Sequence, residues 1–176
     1  GKDIVIKSTD GADKTTIVSS GAGEITAARL IADAVSAQVG DAEDEGRPFK
    51  YDVADEWKDW TPETLPGNAS VLEGFTVQLG GSVDKVGILG GRIKKCRLTC
   101  GDADRFVPFQ LAVLENSLIV VGNVGVWMDW IDGVWQADGD VEAFSDSLLR
   151  NCTVYTGSMI CGSKLENTIV YGRTSS

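Results

Sequence analysis

The chain has 176 residues, 43% of them apolar, with 21 glycines against 4 prolines, so it can bury one core between many turns. Its formal net charge of −10 repels phosphate backbones and argues against nucleic acid as a partner. Histidine is absent, which excludes Ser-His-Asp and Cys-His nucleophilic sites, His-ligated zinc and His-ligated haem.

The opening residues of the sequence as given carry no basic region followed by an apolar run, the pattern of a secretory signal, and Gly1 fits a processed or cloned start. "DIVIK" begins at residue 3 as a first strand, and "KTTIV" follows at 14–18. The stretch 19–69 then departs from strand-like patterning. Within it, "EITAARLIADAVSAQV" (24–39) suits a helix by propensity, whereas its place after "KTTIV" suits a strand around Arg29 to Ala32. "GDAEDEGRP" (40–48) is a charged loop, and 49–69 reads as an excursion holding Trp57 and Trp60.

From Leu72 a short unit recurs. "LEGFTVQLG" at 72, "IKKCRLTCG" at 93, "LENSLIVVG" at 114, "LRNCTVYTG" at 149 and "LENTIVYG" at 165 share a shape. It runs aliphatic, any, Asn or Gly, small or apolar, any, aliphatic, then glycine. The starts are separated by 21, 21, 35 and 16 residues. A step near 21 is too short for a helical repeat of ~34 residues and suits one coil of a β-solenoid. The longer step reads as a coil carrying an insertion, the second excursion at 124–144. Side chains alternate along a strand, so positions four, six and eight share a face. Position six is aliphatic throughout: Val77, Leu98, Ile119, Val154 and Val170. Position one is aliphatic with the wrong parity, so the chain must bend between positions one and four. Position three holds Gly74, Lys95, Asn116, Asn151 and Asn167. Glycine and asparagine tolerate the left-handed backbone, which makes this position a corner, with Asn116, Asn151 and Asn167 as a candidate ladder and Lys95 as the misfit.

Residues 3–18 and 70–173, with "SVLEGFTVQLGG", "IKKCRLTCG" and "LENTIVYG", resemble the right-handed parallel β-helix repeats of bacterial surface and secreted proteins, the pectin-lyase-like superfamily. The resemblance implies an all-β fold: a right-handed parallel β-helix (solenoid) forming one domain over 1–176, with two excursions at about 19–69 and 124–144. Handedness and coil cross-section rest on the resemblance alone. It implies an extracellular or cell-surface location and says little of activity, since such solenoids serve as lyases, adhesins, phage spikes and scaffolds. Lyases of this family hold calcium in an acidic cluster and use a basic residue as base. Asp84, Lys85, Arg92, Lys94 and Arg97 lie near the first regular coils, where any solvated solenoid face also carries charge.

All five tryptophans, Trp57, Trp60, Trp127, Trp130 and Trp135, lie in the excursions. They suit a satellite apolar cluster on the solenoid wall, a subunit contact or a stacking platform for glycans. Asp138, Asp140 and Glu142, with Asp129 and Asp132 nearby, offer alternate oxygen ligands for calcium, although the EF-hand register is absent and solvated loop carboxylates fit as well. Cys96, Cys100, Cys152 and Cys161 lack metal-site spacing and read as buried thiols; Cys152 with Cys161 is the first disulfide to test. The sequons at 68–70 and 151–153 read as coincidence, Asn151 being a corner residue. No constellation compels an enzyme. Strands begin and end close to the termini, so either the 19–69 excursion covers an end or copies stack head to tail. The expectation is an extracellular structural solenoid able to stack axially on itself. The alternatives are a glycan-binding module or remnant polysaccharide lyase using the Trp-rich excursions, and a piece excised from a longer surface protein.

Overall fold

The computed structural model describes residues 4–19, 61–64, 69–80, 85–101, 106–122, 126–131, 134–140 and 142–172. The segment 24–39, whose helix or strand character the sequence leaves open, lies outside them, as do Trp57 and Trp60. Every regular element among the described residues is a strand.

In chain order these are β1 (Val5–Lys7), β2 (Thr16–Ser19), β3 (Val71–Glu73), β4 (Thr76–Leu79), β5 (Lys85–Leu89), β6 (Arg92–Lys94), β7 (Arg97–Cys100), β8 (Phe106–Gln110), β9 (Val113–Glu115) and β10 (Leu118–Val121). There follow β11 (Val126–Ile131), β12 (Val134–Asp140), β13 (Glu142–Ser145), β14 (Leu148–Arg150), β15 (Thr153–Thr156), β16 (Met159–Cys161), β17 (Lys164–Glu166) and β18 (Ile169–Gly172). Three sheets are wholly parallel. The first runs β1-β3-β6-β9-β14-β17, the second β2-β4-β7-β10-β15-β18, and the third β5-β8-β13-β16. From β5 onward the chain visits third, first and second sheet in that order, four times over, with the β11–β12 hairpin inserted before the third visit. Each circuit therefore lies in register on the one before.

The corner between first and second sheets falls where glycine and asparagine mark it. Gly74 (φ 79°), Lys95 (φ 51°), Asn116 (φ 51°), Asn151 (φ 52°) and Asn167 (φ 47°) all take the left-handed conformation. Lys95 is thus held in the same geometry as its asparagine neighbours, against the steric preference of a side chain with a Cβ. Corner N–H groups donate upward in sequence: Gly74 to Lys94 O (3.0 Å), Lys95 to Glu115 O (3.0 Å), Asn116 to Arg150 O (3.0 Å) and Asn151 to Glu166 O (2.9 Å). This register overrides the local penalty at Lys95.

A second corner, between third and first sheets, carries Gly90 (φ 69°), Leu111 (φ 59°), Asp146 (φ 49°) and Gly162 (φ 56°). It was not marked by the asparagine signal, because a buried leucine and an aspartate occupy two of its rungs. The first described circuit differs again: six residues, 9–14, are inserted at the first corner between Ser8 and Thr15, whose hydroxyls hydrogen-bond at 2.7 Å.

The core is a set of rows along the stack. Val77, Leu98, Ile119 and Val154 are paired in succession and fully buried. Ile17 and Val170 extend that row at either end. Ile93, Leu114 and Leu149 form a second buried row from the first sheet. The third sheet supplies Ile88, Phe109, Phe144 and Ile160, with Phe109 and Phe144 stacked at 5.1 Å between centroids. Phe144 thereby belongs to a parallel sheet, so the last residues of the predicted 124–144 excursion are part of the stacked body.

Position four has a polar task inside this core. Cys96 N–H donates to Ser117 Oγ (3.2 Å), and Cys152 N–H to Thr168 Oγ1 (3.3 Å). Each side chain also donates to a carbonyl of its own circuit: Ser117 Oγ to Glu115 O (2.9 Å), Cys152 Sγ to Arg150 O (3.3 Å) and Thr168 Oγ1 to Glu166 O (3.0 Å). The bend at position three turns these backbone groups inward, and a small hydroxyl or thiol satisfies them without water.

Candidate functional site

The outward face of the first sheet carries an ordered array of charge. Position two of successive strands reads Lys7, Glu73, Lys94, Glu115, Arg150 and Glu166, in direct register. The signs alternate without exception. Neighbouring side chains in a parallel sheet stand one strand spacing apart, ~4.8 Å, so unlike charges reach each other and like charges would repel. Lys7 Nζ lies 3.3 Å from Glu73, Lys94 Nζ 3.0 Å from Glu115, and Arg150 bridges Glu115 (3.2 Å) and Glu166 (2.7 Å). Arg92, Lys95 and Lys164 flank the array at 3.7 Å from Glu115, 3.0 Å from Glu73 and 2.7 Å from Glu166. Arg150 also reaches Glu63 at 3.1 Å, which ties the 61–64 turn to this face.

The pairing is electrostatically legible. Lys95 and then Lys7 hold the Glu73 carboxyl below the usual carboxylate range, and Lys164 and then Arg150 do the same for Glu166. In return Glu166, followed by Glu63, raises the affinity of the Arg150 guanidinium for its proton. The alternation can be read from the aligned units, where position two runs Glu, Lys, Glu, Arg, Glu. It escapes notice when attention rests on the aliphatic and corner positions.

Both ends of the stack expose apolar rungs. At one end Ile6 is 42% exposed, and at the other Leu165 is 44% and Val170 38% exposed, whereas Ile93, Leu114 and Leu98 in the same inward rows are buried. Tyr171 stacks on Tyr155 with ring centroids 4.8 Å apart. The inserted loop 9–14 sits at the first end of the stack. It folds back along the body, with Ala12 O accepting from Thr76 Oγ1 (2.6 Å) and Asp13 pairing with Arg97 (3.2 Å).

Most of the other residues singled out from sequence lie outside the first sheet. Trp130 is paired directly with Trp135 across the antiparallel β11–β12 hairpin, and Trp127 sits where that register shifts. Asp138 and Asp140 fall on β12 and Glu142 opens β13. Among the described residues no group of three or more His, Cys, Asp or Glu side chains forms a metal-binding cluster. Asn151 and Asn167 join as a ladder, Nδ2 of Asn167 donating to Oδ1 of Asn151 at 2.7 Å, and Asn116 shares their corner geometry. Lys94 and Arg92 are engaged by Glu115, and Arg97 by Asp13, as members of a solvated charged surface.

Cys96, Cys100 and Cys152 are buried thiols, as expected of wall residues; Cys152 is therefore not in a disulfide with Cys161. Burial pushes the Cys96 and Cys152 thiols above their ordinary range, so they remain protonated and poorly nucleophilic. No helix among the described residues is long and apolar enough to cross a membrane. No family model, curated protein or solved structure matches the chain.

Proposed function

We propose that this chain is an extracellular structural protein, a right-handed parallel β-helix whose end coils join copies into an axial array. The observation that carries the reading is the state of the two ends. Among the described residues β1 and β2 end the first two sheets on one side and β17 and β18 on the other, with apolar rungs exposed at both. A parallel strand edge offers N–H and C=O groups to any further strand, and the exposed inward-row residues Ile6, Leu165 and Val170 beside it favour covering that edge. The right hand is supported by the near-universal handedness of parallel crossover connections. The extracellular location rests on the resemblance to surface and secreted β-helices.

Sedimentation velocity over a hundredfold concentration range, with electron microscopy of the heaviest species, tests the proposal. Growth into rods or filaments is expected. A single monomeric species at the highest concentration would overturn it.

A second reading, a glycan platform on the β11–β12 hairpin, is favoured by the direct pairing of Trp130 with Trp135. Binding on a glycan array that disappears on replacing Trp127, Trp130 and Trp135 by alanine would support it; an array without signal would end it.

A further inference from the structure

We infer that the alternating charge column sets the polarity of assembly: the Glu166 end of one copy seats on the Lys7 end of the next. This rests on the axial reading above and adds a contact and a direction to it.

The argument starts from parity. The column holds an even number of alternating charges, so its two ends have opposite sign. Inside the column each charge has an unlike neighbour on both sides. Glu115, for example, meets Lys94 at 3.0 Å and Arg150 at 3.2 Å. At the ends this holds on one side of the column only: Lys7 meets Glu73, and Glu166 meets Arg150 and, within its own strand, Lys164. Translating a second copy along the stack puts its Lys7 beside Glu166 and continues the alternation without a break.

The same translation matches the columns of the first and second sheets rung for rung. Leu165 would meet Ile6, Val170 would meet Ile17, and Tyr171 would extend its stack over Val18. These six residues occupy the end positions of columns already in register within one chain. At the corner, the step that takes Asn151 N–H to Glu166 O would take Asn167 N–H to Lys7 O of the next copy. The 9–14 loop at the first end is pinned to the body through Arg97.

A head-to-head pair brings two Lys7 ends together and a tail-to-tail pair two Glu166 ends. Such contacts are two-fold and close as dimers, whereas a head-to-tail contact propagates.

A charge swap between molecules tests this. Lys7→Glu and Glu166→Lys each put like charges at every head-to-tail junction. Alone, each variant is expected to associate about tenfold more weakly than the parent at low salt, the effect of turning an exposed attraction into a repulsion. Mixed one to one, the variants can alternate so that every junction is again complementary, and association should return to within about twofold of the parent. Salt near 1 M should shrink the difference between variant and parent. Circular dichroism and thermal midpoints of each variant confirm folding; Lys7→Gln and Glu166→Gln replace any reversal that fails to fold, with a smaller loss expected from each.

If the parent does not associate, the axial reading falls and this inference with it. If the parent associates but the reversals or neutral variants leave association unchanged, or mixing gives no rescue, the polarity assignment is wrong and the axial reading stands. Association that stops at dimers overturns the head-to-tail geometry.

Discussion

Leu98→Ala probes the shared interior row at its middle. Leu98 is fully buried, with Val77 in register on one side and Ile119 on the other. Truncation to alanine removes three carbons, which at about 0.8 kcal/mol each loses about 2.4 kcal/mol of burial. The strands above and below are held by ladder hydrogen bonds, so the walls close only partly. The residual cavity adds on the order of 1 kcal/mol, and the expected loss is about 3–4 kcal/mol. Val170→Ala is the control: it lies in the same row, but at the end, where the side chain is 38% exposed. It should cost under about 1 kcal/mol, since little burial is lost and no closed cavity forms. Urea unfolding followed by far-ultraviolet circular dichroism, at a concentration where the chain is monomeric, measures both. A cost for Leu98→Ala below about 1 kcal/mol, or one no larger than that of Val170→Ala, would refute a continuous enclosed row.

Ser117→Ala leaves the buried Cys96 N–H without its partner and should cost about 1–3 kcal/mol, whereas Ser117→Cys should cost clearly less, because Cys152 holds the equivalent place one circuit on; equal losses in urea unfolding would argue against the polar role of position four. Asn151 sits at φ 52°, so Asn151→Ala should lose about 1–2 kcal/mol and Asn151→Gly distinctly less, read as thermal midpoints; an alanine variant as stable as the glycine one would show that the corner is not strained. The carboxyls of Glu73 and Glu166 are held below their usual range in the folded chain, so their stabilising contribution is complete above the unfolded carboxylate value of about 4.3 and is lost as pH falls through the lowered folded values. Thermal midpoints should therefore fall below about pH 4.3, and Glu73→Gln with Glu166→Gln should flatten that fall. An unchanged acid slope in the double variant would remove these two groups from the account.

What could be read before any coordinates was whatever repeats at a fixed place in each unit. The aliphatic residue at position six and the Gly or Asn at position three recur because each circuit meets the same two demands, an inward side chain and a left-handed bend. Those demands are local, and residue type alone reveals them. The third sheet was legible in principle, since Ile88, Phe109, Phe144 and Ile160 each lie five residues before a position-one aliphatic. The asparagine marks do not extend to its corner, where Leu111 and Asp146 are forced into the left-handed region by the register of their neighbours.

The amino-acid order by itself determined the unit, its corner and its inward row, because backbone sterics and side-chain alternation act within a few residues. The tertiary structure alone decided which units lie against each other, since pairing across steps of 21, 35 and 16 residues depends on the stack and not on chain proximity. That stacking turns scattered charges at position two into one alternating column with a positive and a negative end.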